Sequence, residues 1–292
     1  MNKEMFALLL GFIFSGVQGY NYYQNYGYGP YQYSYKYNIP PYNNDNNFPA
    51  YQVAYSSSND CGKANEVNPF IIGGSEVYPH HKYPWMVAIK NENSAFKCGG
   101  SLITPQYVLT AAHCLIETGN VIVGIGAHNL TIPHEEIRSR KIKMHPRFNL
   151  TLQIHDIALI MLEKPVTLSE NIGTICLPYD RKLEKPGTKA VVAGWGLLSK
   201  EGKSSQVLME ATFKVIPGSE SAIVTEGENP GKGTGIGDSG SPLFVRYPNE
   251  RWYVIGVVSS EVDTKTFFPK VLFYLSWIQE NIQDGAMCEL NA

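Results

Sequence analysis

Long apolar runs, blocks of like charge and metal-ligand spacings are what this sequence has least of, and each shortage excludes something. The one sustained apolar run near the start, Met5 to Phe14, would cover about 15 Å as a helix, roughly half the hydrocarbon core of a bilayer. No membrane anchor is therefore expected. Lysine and arginine number 24 against 26 acidic residues, a formal net charge of −2, and both signs are spread through the chain. That distribution leaves no electrostatic footprint for nucleic acid or for an anionic membrane surface. His80, His81, His128, His134, His145 and His155 show no metal-ligand spacing with a cysteine or a second histidine on one face. They are read as surface or loop residues. With no carboxylate cluster suited to structural calcium either, neither a metal nor an organic cofactor is expected. Cysteine is scarce: Cys61, Cys98, Cys114, Cys176 and Cys288 allow at most two bridges and one leftover thiol.

What is present sorts into three segments. Lys3, the apolar run and the small residues Val17 and Gly19 make 1–19 a secretory signal, cut after Gly19. Export permits disulfides, and sequons at Asn129 and Asn149 are consistent with an extracellular, glycosylated protein. From Tyr20 to Asp60 the chain holds 12 of its 19 tyrosines among Asn, Gln, Gly and Pro, with almost no aliphatic residues. Such a stretch cannot build an aliphatic core, so 20–70 reads as a solvated low-complexity leader and pro-segment. Adhesion, tyrosine cross-linking or targeting would be its functional alternatives.

After Cys61 the texture is that of an all-β domain. Short apolar runs lie at Trp85 to Ile89, Tyr107 to Ala112, Val121 to Ile125, Ile157 to Leu162, Val191 to Ala193 and Trp252 to Val258, punctuated by Gly, Pro, Asn and Asp. Strand counting alone leaves sandwich and barrel both open. Leu275, Ile278 and Ile282 recur at helical spacing, which predicts one C-terminal helix.

Four segments carry the parts of a serine-nucleophile acyl-transfer site. Such chemistry needs a base for the hydroxyl proton, a carboxylate to orient the base, and backbone N–H donors for the developing oxyanion. Ser239 lies in Gly237-Asp238-Ser239-Gly240, where glycine permits a tight turn that presents the N–H groups of Gly237 and Ser239. His113 closes the run Val108 to Ala112, and Asp156 opens Ile157 to Ile160. Trp195, between Gly194 and Gly196, is read as core packing.

The combination of TAAHC at His113, DIAL at Asp156, GWG at Gly194 to Gly196 and GDSGSP at Ser239, in this order, resembles the trypsin/chymotrypsin family of serine proteases. The resemblance implies an all-β fold of two packed six-stranded antiparallel barrels with a C-terminal helix, the triad lying in the crevice between them. It implies a protease domain over 71–292, protein or peptide substrates, a secreted monomer and no cofactor. Ile71-Ile72-Gly73-Gly74 looks like the start of the mature enzyme, so cleavage between Phe70 and Ile71, by an activating protease or by the chain itself, would free the Ile71 ammonium to pair with Asp238. The resemblance also implies a bridge between Cys98 and Cys114 around the histidine loop, and one between Cys61 and Cys176 joining the pro-segment to the domain. Three other family bridges are absent, Ala190 and Val245 replacing both halves of one.

Departures from the family concentrate in the specificity pocket. Gly233 stands at the pocket base, where trypsin-like enzymes carry Asp, and an uncharged base would leave a buried Arg or Lys without a partner. The wall strand reads Ser259-Ser260-Glu261 where Ser-Trp-Gly is usual, and Thr266 stands at a second wall position that is commonly Gly. Both changes add bulk and imply elastase- or chymotrypsin-like cleavage through a shallow or partly blocked pocket. Ser241 replaces a common Gly two residues past the nucleophile. Two readings from other classes stay open. One is a catalytically silent homologue that binds a partner through the cleft. The other is a structural or adhesive protein whose Tyr-rich leader does the work, which deleting 20–60 would discriminate.

Overall fold

The computed structural model describes residues 61–65, 75–196, 204–227 and 238–282. The expected secretory signal, the Tyr-rich leader, Phe70, Ile71, Gly233, Gly237 and Cys288 lie outside the described residues.

Six strands close a barrel: β2 (Met86–Lys90), β3 (Phe96–Leu102), β4 (Tyr107–Thr110), β5 (Ile122–Ile125), β6 (Glu135–Met144) and β7 (Ala158–Leu162), in the spatial order β2-β3-β4-β7-β6-β5. All pairings are antiparallel, and closure gives every strand two neighbours, which removes the free edges an open sheet would expose. Strand β2 is buried along its whole length, with Lys90 anchored by Glu136 at 2.7 Å. Strand β6 faces solvent with alternating charges and turns Ile137 and Ser139 inward; its pairing with β7 shifts register between Ser139 and Lys141. Val87, Ile89, Val108, Ile125 and Ile160 share the inward face and fill the interior. Truncating any of these isoleucines to Ala would cost about 2–5 kcal/mol, because a filled core does not collapse fully around a hole.

A second sheet is formed by β8 (Lys189–Gly194), β9 (Met209–Ile216), β10 (Ala222–Gly227), β11 (Pro242–Arg246), β12 (Trp252–Val257), β13 (Ser260–Val262) and β14 (Lys265–Pro269), in the order β12-β11-β8-β9-β10-β14-β13. A short first strand, β1 (Ser75–Glu76), joins it by pairing with β9. An isolated bridge between Gly256 and Lys270 brings β12 back toward the end of β14. Strands β13 and β14 form a hairpin whose last pair is Val262 with Lys265, so only Asp263 and Thr264 make the turn, with Asp263 at φ +57°. Left-handed backbone at that position is what a two-residue hairpin turn requires.

Aromatic residues weld the two halves. Phe244 of β11 lies 4.8 Å from Tyr83, 5.6 Å from Trp85 and 5.3 Å from Trp252, ring centroid to centroid and in edge-on geometry. Beside them Lys82 is buried against Glu210 of β9 at 3.0 Å, and the Tyr83 hydroxyl donates to the same carboxylate at 2.5 Å. A buried charge without such partners would cost several kcal/mol, so this ion pair fixes where the entering chain crosses onto the second sheet. The helix α1 (Leu275–Asn281) follows a 3-10 turn at Val271–Tyr274 and buries Ile278. Cys61 is bonded to Cys176 and Cys98 to Cys114.

Candidate active site

His113 sits on a 3-10 turn, Ala112–Leu115, directly after β4, and the disulfide from Cys114 to Cys98 ties that turn to β3. Asp156 precedes β7, the strand paired with β4, so neighbouring barrel strands bring the two side chains together. His113 Nδ1 lies 2.6 Å from Asp156 Oδ2, and the His113 backbone N–H donates to Oδ1 at 2.8 Å. Asp156 is only 2% exposed. Its third donor is the Ser259 hydroxyl, 2.6 Å from Oδ2. Ser259, expected at the pocket wall, thus turns its hydroxyl onto the carboxylate that holds His113. Three donors explain how a charge can stay buried here.

The residue preceding Asp156, His155, is turned to other partners. His155 packs against His145, and its Nδ1 lies 3.0 Å from the Tyr274 hydroxyl. Burial, followed by the nearby Arg147 charge, holds His155 below the ordinary histidine value; burial first, then His155 and Arg147, lowers His145 to about 4. Both are neutral at neutral pH, so neither adds a positive charge next to Asp156.

Ser239 enters from the second half. Its carbonyl accepts the Gly99 N–H of β3 at 2.9 Å, and the Ser241 N–H closes a turn onto the Asp238 carbonyl at 2.9 Å. Gly240 is at φ +78°, and a Cβ there would collide with the Thr110 hydroxyl and the Gly99 carbonyl. Glycine is therefore required twice over, by conformation and by space, and its absence of side chain seats the Ser239 turn against the strand that leads into His113. Ser241 is fully buried against Gly99, and its hydroxyl has no hydrogen-bond partner among the described residues.

The Gly-Trp-Gly segment has a similar logic. A Cβ on Gly194 or Gly196 would run into the Asp238 carboxylate, and the Gly196 N–H donates to Asp238 Oδ1 at 2.9 Å. Trp195 between them is fully buried and donates its indole N–H to the His128 carbonyl at 3.0 Å. Of the residues expected at the pocket wall, Glu261 is exposed on β13, opposite Thr266 of β14. Thr266 is fully buried and also faces Thr225 of β10, whose hydroxyl is buried without a partner among the described residues.

His128 and His145, read as surface or loop residues, lie in loops and are buried there, with 6% and 7% exposure. His128 is covered where the loop after β5 meets Trp195 and Leu208, and His145 where it packs on His155, Tyr274 and Trp277. Asn129 Oδ1 accepts from Thr131 and Asn149 Oδ1 accepts from the Leu152 N–H, and Asn149 is exposed in the loop between β6 and β7. No helix among the described residues is long and apolar enough to cross a membrane.

Comparison with known proteins gives a consistent picture. The family model described as Trypsin matches residues 71–278. The chain is 32% identical to chymotrypsin-C from Bos taurus over 260 residues, covering 79% of this chain and 96% of the relative. It is 33% identical to chymotrypsin-C from Mus musculus, covering 73% and 89% respectively. It is also 29% identical to the proclotting enzyme from Tachypleus tridentatus over 280 residues, 83% of this chain and 74% of that protein.

Proposed function

The chain belongs to the trypsin family and is a serine endopeptidase, and from that premise we propose that it is a secreted zymogen with His113, Asp156 and Ser239 as its triad. Ser239 Oγ attacks the scissile carbonyl while its proton passes to His113 Nε2. The imidazolium then gives that proton to the leaving amine, and a water, deprotonated by the same nitrogen, releases the acyl group. Asp156 holds the Nδ1–H tautomer and the positive charge that forms on the ring. The backbone N–H groups of Gly237 and Ser239 take the oxyanion. The observation that carries this reading is the three-donor environment of Asp156, in which His113 Nδ1 stands at 2.6 Å and Ser259 Oγ at 2.6 Å.

Activation follows from the surroundings of Asp238. Cleavage between Phe70 and Ile71 would release an ammonium to pair with Asp238, whose carboxylate lies against Gly194 and Gly196. Forming that pair would draw the Gly237 and Ser239 amides into position, so Phe70→Pro yields a silent precursor. Phe70 before the cut fits a chymotrypsin-like activator or the chain acting on itself; a Ser239→Ala precursor that stays uncut while wild type converts would select the second. In the pocket, Gly233 lacks the charge an Arg or Lys side chain would need, and the buried Thr266 narrows the wall. Small or medium apolar residues before the cut are therefore preferred, and the exposed Glu261 favours basic residues further along the substrate.

The test is cleavage profiling of the domain beginning at Ile71 on a diverse peptide library, with Ser239→Ala as control. Cleavage by wild type alone supports the reading and gives the preferred residue. A folded sample with a free Ile71 terminus and no cleavage would transfer the argument to a silent homologue that binds a partner through the cleft.

A further inference from the structure

Among the described residues, two groups of three side chains hold ligand atoms close enough to share a cation. The first, Cys98, His113 and Cys114, is already committed, because its sulfurs form a disulfide and its imidazole is bonded to Asp156. The second, Glu76, His80 and His128, includes none of the proposed catalytic residues and takes no part in the proposed mechanism.

We propose that Glu76, His80 and His128 form a binding site for a divalent cation of the zinc type. Two imidazole nitrogens and one carboxylate oxygen are a donor set that suits zinc, copper or nickel and is ill matched to calcium or magnesium, which prefer oxygen throughout. The three ligand atoms lie within 4.8 Å of one another. Glu76 Oε1 stands 2.8 Å from His128 Nε2 and 3.9 Å from His80 Nε2. The two rings are stacked, with centroids 3.9 Å apart and planes inclined by 16°, so the exposed His80 ring must turn for its lone pair to converge with that of His128 on one cation. Around a tetrahedral zinc with bonds of ordinary length, ligand atoms are about 3.3 Å apart. The shorter contact then opens by about half an ångström and the longer one closes by about as much, movements within the reach of side-chain rotation.

Backbone anchoring prepares the site. The His128 carbonyl accepts from both the Leu208 N–H at 2.8 Å and the Trp195 indole at 3.0 Å. Glu76 lies on β1, paired with Met209 of β9, and the Val77 N–H donates to the Leu208 carbonyl at 2.9 Å. Two ligands therefore stand on fixed main chain at one seam, while His80 comes from the loop that follows β1. With His128 buried and the other two exposed, three protein ligands face a side open to solvent, where water or a further group completes the coordination. A bound cation would staple the entering segment to the loop after β5.

The experiment uses the full-length precursor after chelator treatment and reads thermal unfolding with added Zn²⁺, together with visible absorption on adding Co²⁺. Zn²⁺ is expected to raise Tm with saturation, since a ligand that binds only the folded state stabilises it, while Mg²⁺ and Ca²⁺ leave it unchanged. Co²⁺ is expected to give the intense visible bands of a low-coordinate site. His80→Ala and Glu76→Gln change exposed side chains, so both variants should unfold at the wild-type Tm without metal and lose the Zn²⁺ shift and the Co²⁺ bands. Equal shifts in wild type and both variants, or no Zn²⁺ shift in wild type, would overturn the proposal. If either variant is destabilised without metal, wild-type Co²⁺ absorption that persists unchanged in the other has the same consequence.

Discussion

The first barrel closes on itself, carries His113 and Asp156, and is stapled by the bridge from Cys98 to Cys114. The second sheet runs as a path from β12 to β13, carries Ser239, Ser259 and Thr266, and has Ala190 and Val245 where the family resemblance leads one to expect a bridge. The resemblance read from the sequence is uneven between the two halves. Residues that hold the proposed base, His113 and Asp156 with their neighbours, follow the family pattern closely. Residues that would shape the substrate, Ser260, Glu261, Thr266 and the two-residue turn at Asp263, do not. Proton transfer tolerates little displacement, since the bonds around Asp156 lose strength within a few tenths of an ångström, whereas a pocket wall can gain or lose bulk and still leave a working enzyme with another preference.

The largest effect tests whether both halves are needed for chemistry. Ser239→Ala should lower kcat on the order of 10⁴-fold or more, leaving what binding and the oxyanion donors supply. Turnover by a folded, Ile71-terminated sample near the wild-type rate would remove the second half from the mechanism.

Restoring the missing staple tests the structural side of the same contrast. Phe244 pairs with Val191 and Leu243 with Val192, so the antiparallel register sets Val245 opposite Ala190, and both are buried in the second core. Ala190→Cys with Val245→Cys should form a bridge closing a loop of about 55 residues, for which chain entropy gives up to about 4 kcal/mol. Denaturant unfolding of the oxidised and reduced forms measures it. No gain on oxidation would mean that this half is already as constrained as the first.

A smaller effect is expected where the halves meet. Ser259 comes from the second sheet, yet its hydroxyl serves Asp156 of the first barrel. Because Asp156 keeps both of its bonds to His113, Ser259→Ala should reduce kcat by only about tenfold, within the range for one hydrogen bond to a charged group. KM and Tm should change little. A fall in KM alone, with kcat preserved, would instead make Ser259 part of the pocket wall and nothing more.

The contrast also governs what was legible in the sequence. Apolar runs such as Trp85 to Ile89 and Tyr107 to Ala112 became β2 and β4, and Leu275 to Ile282 became the helix Leu275–Asn281. Strand β6 escaped notice because its charges alternate outward, leaving only Ile137 and Ser139 as a weak inward signal. Strand β3 was hidden by Gly99 and Gly100, which look like a turn but are thin because Ser241 presses on one and Val108 on the other. At the site, His113, Asp156 and Ser239 were conspicuous because each sits in a compact motif. Ser259 was read only as a wall residue, since nothing local announces a bond to a carboxylate 103 residues away. The cluster of Glu76, His80 and His128 was missed for the same reason: it is made by β1 crossing onto the second sheet, an event with no periodicity to detect.

The smallest effect probes the pocket itself. Thr266 is fully buried on β14 between Thr225 and Glu261, where the family's usual glycine would leave space. Thr266→Gly should raise kcat/KM for substrates with Phe or Leu before the cut relative to those with Ala, by on the order of tenfold at most, because filling a pocket with one or two extra carbons is worth only about 1–3 kcal/mol. The strand should be destabilised by roughly 0.5–1 kcal/mol through the added backbone freedom, which a Tm measurement follows separately. An increase in Phe and Leu cleavage with the Ala rate preserved would assign the divergence of the second half to substrate selection. Equal rates across all three substrates would mean that Thr266 fills the sheet interior without facing the pocket, and the narrowing would then have to come from Ser260 or Glu261.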